Sequence, residues 1–290
     1  MGVPNQREPN QPAPEPGPYQ QEWIDRGTDR LSLHWYPAAD TAAPMVVLWP
    51  AMGVPAGYYR PFVTGLRRAG LAVAVVDLRG TGASTPPASR RSRYGYAELT
   101  DDVGAVLEHL KPRRDGRRVL LLGHSLGGQA CLLHLARTGG ADVDGLALVA
   151  VGLPYWRSYQ DIRKLVLPYA HAISAISAVL GYWPGWGFGG RQARGVIRDW
   201  AHTARTGRFP LIYGVDLTGT VAALRLPVLA VSLARDQYTP ASTVDHLVAG
   251  LGAARVRRAH LDGDADHFSW ARSDSGPVVE VVTAFALATD

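Results

Sequence analysis

Cysteine is nearly absent from this 290-residue chain, occurring only at Cys131. A lone thiol excludes an intramolecular disulfide and a multi-cysteine metal site, and it fits a free thiol in the core. Lysine is almost as scarce. It is found only at Lys111 and Lys164, so arginine carries nearly all of the positive charge. The net charge of +5 is spread along the chain, with no basic block at either terminus. Such a spread describes a solvated surface, and nucleic acid is not expected as a partner. Apolar runs of membrane-spanning length are missing, so no stable membrane insertion is expected. Residues 1–19 are rich in Pro, Asn and Gln and hold no apolar h-region. They are expected to form a disordered tail, and the cytoplasm is the expected compartment.

What is present is apolar sequence arranged in short runs. At 47% hydrophobic residues the chain can bury a substantial core. Residues 31–36 alternate, as a half-buried strand does, and residues 23–26 precede them as a hairpin partner. Residues 45–49, 71–76, 119–122 and 146–151 are continuous apolar runs, the pattern of parallel strands buried on both faces. Helical spacing separates them at 58–69, 96–110 and 126–137. Strands alternating with helices imply a doubly wound, mostly parallel α/β sheet. The alternation breaks after Gly152 and resumes with a strand at 227–233, a helix at 241–251, a strand at 254–260 and a helix at 277–287. The expected organisation is a tail over 1–22, a core over 23–152 and 225–290, and an inserted helical cap over 153–224.

The organising stretch is Gly123-His124-Ser125-Leu126-Gly127-Gly128, between a strand and a helix. Gly-x-Ser-x-Gly in that context is a nucleophile elbow: the glycines let strand and helix approach while the serine is presented at the carboxyl end of the strand. The helix N-terminus behind it offers N–H groups to a developing oxyanion. This elbow resembles that of the α/β-hydrolase superfamily, in particular its capped, esterase- and lipase-like serine hydrolases. Two further stretches carry the same resemblance. Asp236, after the strand at 227–233, sits where the family places its acid, and His267, after the last strand, sits where it places its histidine. The resemblance therefore implies a triad of Ser125, Asp236 and His267. His260 is the rival base, but it lies inside the last strand. Asp262, Asp264 and Asp266 compete with Asp236, but they share the histidine's own loop.

The resemblance also implies an oxyanion hole made by the backbone N–H groups of Leu126 and Met52. At the second position Trp49-Pro50-Ala51-Met52-Gly53 departs from the family's common His-Gly pattern. Asp77-Leu78-Arg79-Gly80-Thr81-Gly82-Ala83-Ser84 resembles a structural turn of the same family. It lacks the Gly-Lys-Ser/Thr ending of a phosphate loop, and 123–128 lacks dinucleotide-fingerprint spacing, so no cofactor is expected. Asp262-x-Asp264-x-Asp266 starts like a calcium loop. However, His267 stands where glycine is needed and Ser273 where glutamate is needed, so no metal is expected. The aromatics Tyr155, Trp156, Tyr182, Trp183, Trp186 and Phe188 either line an apolar acyl pocket or pack the cap onto the body. Tyr155, Trp156, Trp183 and Trp186 are the candidate substrate contacts. The implied activity is hydrolysis of a carboxylic ester-type bond in a small apolar acyl substrate. Acyl transfer, thioester cleavage and a non-catalytic ligand-binding member of the fold stay open, and the oligomeric state is not legible.

Overall fold

The computed structural model describes residues 19–114 and 116–288. The expectation for residues 1–18 lies outside the described residues. Residues 20–22, inside the expected tail, are already part of a strand. Tyr19 stacks on His34 with ring centroids 3.9 Å apart, and β1 (Gln20–Arg26) pairs antiparallel with β2 (Asp29–Tyr36). The three polar residues Gln20, Gln21 and Glu22 gave no apolar signal, yet backbone pairing with Trp35, His34 and Leu33 orders them.

The next strands are short and fully buried: β3 (Met45–Trp49), β4 (Ala72–Val76), β5 (Val119–His124) and β6 (Gly145–Val149). Between them run α1 (Arg60–Arg68), α2 (Tyr96–Leu110) and α3 (Leu126–Thr138). Their starts and stops have local causes. Pro61 enters the first turn of α1, where its missing N–H costs nothing. The Glu98 carboxylate accepts the Gly95 N–H at 2.7 Å and closes the α2 N-terminus. Gly139, at φ 79°, ends α3 in the left-handed conformation that favours glycine.

After β6 the chain leaves the sheet. It forms α4 (Val166–Leu180), a two-stranded ribbon of β7 (Tyr182–Trp183) and β8 (Gln192–Ala193), α5 (Arg194–Thr206) and α6 (Thr218–Ala223). It then returns through β9 (Pro227–Leu233), α7 (Ala241–Val248), β10 (Arg255–Leu261) and α8 (Gly276–Leu287). α4 packs against α5, whereas α6 packs against α3 of the body. The β7–β8 ribbon leaves no signal in the sequence because two residues on each side are too few to show a pattern.

The sheet order is β1-β2-β4-β3-β5-β6-β9-β10, with every pair from β4 to β10 parallel. Successive residues of β3 alternate faces: Val47 joins the core under α2 and α3, and Val46 and Leu48 join the core under α1 and α8. Covering both faces explains why the central strands are apolar without interruption. Among the described residues no helix is long and apolar enough to cross a membrane.

Candidate active site

The elbow forms because two of its glycines leave no room for a side chain. A Cβ on Gly123 would come within 2.1 Å of the Gly128 Cα, and one on Gly127 within 2.3 Å of the Trp49 carbonyl oxygen. The crossing of β5 and α3 forces Ser125 to φ 50° and ψ −120°. This backbone strain costs about 1–3 kcal/mol, and it persists because the surrounding packing fixes it. The Ser125 carbonyl accepts from the N–H groups of Gly128 and Gln129, at 3.0 and 3.2 Å, which starts the helix directly behind Ser125.

The loops after β9 and β10 bring Asp236 and His267 together. Asp236 accepts His267 Nδ1–H on Oδ2 at 2.8 Å, with both residues buried. The same Oδ2 accepts the Thr239 hydroxyl at 2.5 Å, and Oδ1 accepts the N–H groups of Tyr238 and Thr239, each at 2.8 Å. Four donors thus hold one carboxylate, fixing its rotamer and leaving His267 Nε2 as the free ring nitrogen. Asp266 does different work: it accepts from the N–H groups of Phe268 and Ser269 in its own loop. Those N–H bonds outweigh its partial burial and lower its pKa. Asp264 pairs with Arg235 at 2.6 Å. His260 bonds the Ser232 hydroxyl at 2.7 Å from within β10.

Ser125, His267, Leu126 and Met52 line one cavity of about 520 Å³. Leu126 is the first residue of α3, where a helix leaves its N–H without an internal acceptor. The Met52 N–H has no backbone acceptor among the described residues. The loop carrying Met52 touches the insertion, since a Cβ on Gly53 would sit 2.3 Å from the Gly189 carbonyl oxygen. Val166, Tyr169, Phe188 and Trp200 supply apolar surface to the cavity from the insertion.

The aromatic residues expected in the pocket need correction. Tyr155, Trp156, Trp183 and Trp186 are all outside the cavity lining. Trp183 is buried beneath the ribbon and donates its indole N–H to the Phe188 carbonyl at 2.8 Å. Trp186 is 64% exposed. Tyr155 packs on His246, and Trp156 meets Tyr155 edge-on. Of the six aromatics weighed, Phe188 alone faces the cavity.

Three residues not singled out in the sequence support the site. Thr239 has been described; an Asp followed three residues later by Thr was its signal. Gln129 interrupts the apolar first two turns of α3. It accepts the Tyr96 hydroxyl at 2.9 Å, donates to the Gly152 carbonyl at 2.7 Å, and lines the cavity. His124 is fully buried beside Ser125 and contacts the Tyr59 hydroxyl through Nδ1 at 2.7 Å. That hydroxyl accepts the Ala51 N–H at 2.9 Å, so its own proton points to His124. Trp270 Nε1–H lies 3.5 Å from His124 Nε2, at the limit of a hydrogen bond. A neutral imidazole cannot accept at both nitrogens, so Nδ1 is the acceptor and Nε2 carries the proton. Burial, followed by the neighbouring His267, keeps the His124 pKa well below the usual histidine value, and the His267 backbone lies within bonding reach of its ring. His124 and Tyr59 therefore tie together the elbow, the Met52 loop and the histidine loop.

Asp77 and Arg79 complete the frame. Asp77 accepts the N–H groups of Ala56 and Ala83, at 2.6 and 2.9 Å. Arg79 binds Asp102 through two nitrogens, at 3.0 and 2.5 Å, and Asp29 at 2.5 Å. Cys131 is buried, and burial raises its thiol pKa well above the usual value. Among the described residues no cluster of His, Cys, Asp or Glu is arranged to hold a metal.

A doubly wound sheet that turns into a helix through a strained serine makes this chain an α/β hydrolase. More particularly, residues 40–265 match the family described as Serine aminopeptidase, S33, and the chain belongs to that hydrolase family. The AB hydrolase superfamily protein YisY of Bacillus subtilis is 36% identical over 100 residues, which is 31% of this chain and 35% of YisY. The chain thus spans about a third of that curated relative's length. Est1E from Butyrivibrio proteoclasticus, solved with ferulic acid bound, is similar at a TM-score of 0.66 and 15% identity, over 92% of this chain and 98% of Est1E. The enol-lactonase from Burkholderia xenovorans LB400 is similar at a TM-score of 0.61 and 20% identity, over 92% of this chain and all of that one. At these identities the structural likenesses show the fold.

Proposed function

We propose that this protein hydrolyses carboxylic esters with an apolar acyl group through an acyl-enzyme on Ser125. The observation that supports this most is the Asp236–His267 bond opening, together with Ser125, onto one largely apolar cavity. His267 Nε2 takes the Ser125 proton as Oγ attacks the acyl carbon. The carbonyl electron pair moves onto oxygen, where the N–H groups of Met52 and Leu126 hold it. Collapse expels the alcohol oxygen, which takes the proton from His267. Water then attacks the acyl carbon with His267 again as base, releasing the acid and restoring Ser125. Asp236 holds the Nδ1–H tautomer and stabilises the imidazolium.

In this reading the insertion acts as a cap. Val166, Tyr169, Phe188 and Trp200 grip the acyl chain and exclude water. Each buried methylene contributes about 0.8 kcal/mol, so kcat/KM rises about fourfold per carbon until the pocket is full. A panel of p-nitrophenyl esters of increasing chain length, together with fluorophosphonate labelling, tests the reading. Wild type is expected to label and to prefer medium chains over acetate, and Ser125→Ala to do neither while staying folded. Retention of more than a few per cent of turnover by Ser125→Ala overturns the assignment.

A further inference from the structure

Among the described residues lining the cavity, Arg163 is the single Arg, Lys, Asp or Glu. It lies in the one-turn segment Asp161–Leu165 that leads into α4, and it is exposed. No carboxylate among the described residues is bonded to its guanidinium. Other arginines of the insertion are engaged: Arg198 with Asp199, Arg191 with the Ala88 carbonyl, and Arg157 over the Trp156 ring. The cavity lining also holds donors. They include Tyr169, Gln237 and Tyr238, with Tyr169 close enough to Tyr238 to feel its charge and Tyr238 packed 5.2 Å from the His267 ring. The remaining lining contributed by the insertion is mainly aliphatic or aromatic. A cation and three donors in the lining of a mainly apolar cavity complement a substrate with an apolar body and an anionic end. A guanidinium suits a carboxylate because its planar fork donates two parallel hydrogen bonds.

We propose that Arg163 is a specificity-determining residue that binds a carboxylate on the substrate, so that the preferred esters are monoanionic. This inference rests on the ester-hydrolase reading for the reaction, and its test separates the two. The anion belongs either to the acyl chain, at the end remote from the scissile bond, or to the leaving group. Monophenyl glutarate against methyl phenyl glutarate probes the first source, and 4-carboxyphenyl pentanoate against phenyl pentanoate probes the second. For each pair the readout is the ratio of kcat/KM, anionic over neutral, in wild type, Arg163→Gln and Arg163→Glu.

A charged hydrogen bond at an open rim is worth the low end of its range, so Arg163→Gln is expected to lower the ratio about tenfold in one pair. Arg163→Glu is expected to lower it further, and the pair that responds identifies the source of the anion. The same esters are titrated onto Ser125→Ala and onto the double variant Ser125→Ala/Arg163→Gln by calorimetry. There the anionic ester is expected to bind about tenfold more weakly to the double variant, with the neutral ester as reference. If ratios and affinities are unchanged in both pairs while wild type hydrolyses the neutral esters, the carboxylate subsite is refuted and the hydrolase reading stands. If wild type hydrolyses none of the esters but the affinity difference is present, the subsite stands and the ester reading falls.

Discussion

The Tyr59 hydroxyl sits at the junction of three loops, and its removal has a calculable effect. Tyr59→Phe keeps the ring, which is fully buried against His124 and Trp270. Only the oxygen is lost. The Ala51 N–H then has no acceptor, and His124 Nδ1 has no donor. An unsatisfied buried polar group costs about 1–3 kcal/mol, so the two together cost roughly 2–4 kcal/mol after relaxation. For a chain of this size that lowers Tm by roughly 3–7 °C. The change is also expected to lower kcat more than it raises KM. Ala51 precedes Met52, and in the proposed mechanism a looser Met52 N–H weakens a contact that tightens in the transition state. Tyr58→Phe is the control: its hydroxyl donates to the Phe268 carbonyl at 3.3 Å, in a partly exposed position. Differential scanning calorimetry and ester kinetics on both variants are the assay. A Tyr59→Phe variant melting within about 1 °C of wild type, or no lower than Tyr58→Phe, refutes the bridge.

Three further outcomes are expected. Asp236→Asn lowers kcat by orders of magnitude, on the order of 10⁴ in chymotrypsin-type enzymes, while Asp266→Asn costs far less because its bonds serve its own loop; reversed effects in steady-state kinetics mean that the acid is misassigned. Trp183→Ala costs stability, about 3–5 kcal/mol for a buried Trp, and leaves chain-length selectivity flat, whereas Trp186→Ala stays within about 0.5 kcal/mol of wild type; urea unfolding and the ester panel on the same variants check both. Burial holds His124 well below its ordinary value of 6.5, so below that pH the unfolded chain binds a proton that the folded chain refuses; stability is full above the ordinary value and falls by about 1.4 kcal/mol per pH unit below it for this group, and a urea midpoint that does not drop between about pH 7 and 5 contradicts this.

The sheet was legible because parallel strands buried on both faces leave continuous apolar runs, and 45–49 and 227–233 coincide with β3 and β9. The elbow was legible because glycine spacing records a steric demand. β5 was read as ending at Leu122, yet it runs through Gly123 and His124, since neither residue looks like a strand former. The pocket aromatics were not legible. Trp183 and Phe188 lie five residues apart in one Gly-rich stretch, and only tertiary packing decides which ring turns to the cavity. Gly185, Gly187, Gly189 and Gly190 all take positive φ there, so no helical or strand period exists from which facing could be inferred.

The supporting residues share a property that explains why motif reading passed over them. His124, Tyr59 and Gln129 are polar side chains whose value lies in closing hydrogen-bond accounts between loops distant in sequence. Each is unremarkable in its own segment, because its partner is set by topology and not by spacing. A buried polar group without a partner costs more than the bond itself gains. The parallel sheet delivers Ala51, His124, Asp236 and His267 to one edge, and at that edge every such group must find its partner across a strand boundary. The donors and acceptors that meet this demand also fix the orientation of His267 and of the Met52 loop. In the proposed mechanism, stability and catalytic geometry are therefore set by the same bonds. A substitution at Tyr59 should move Tm and kcat together, whereas one at Arg163, outside that network, should move substrate choice with little change in Tm.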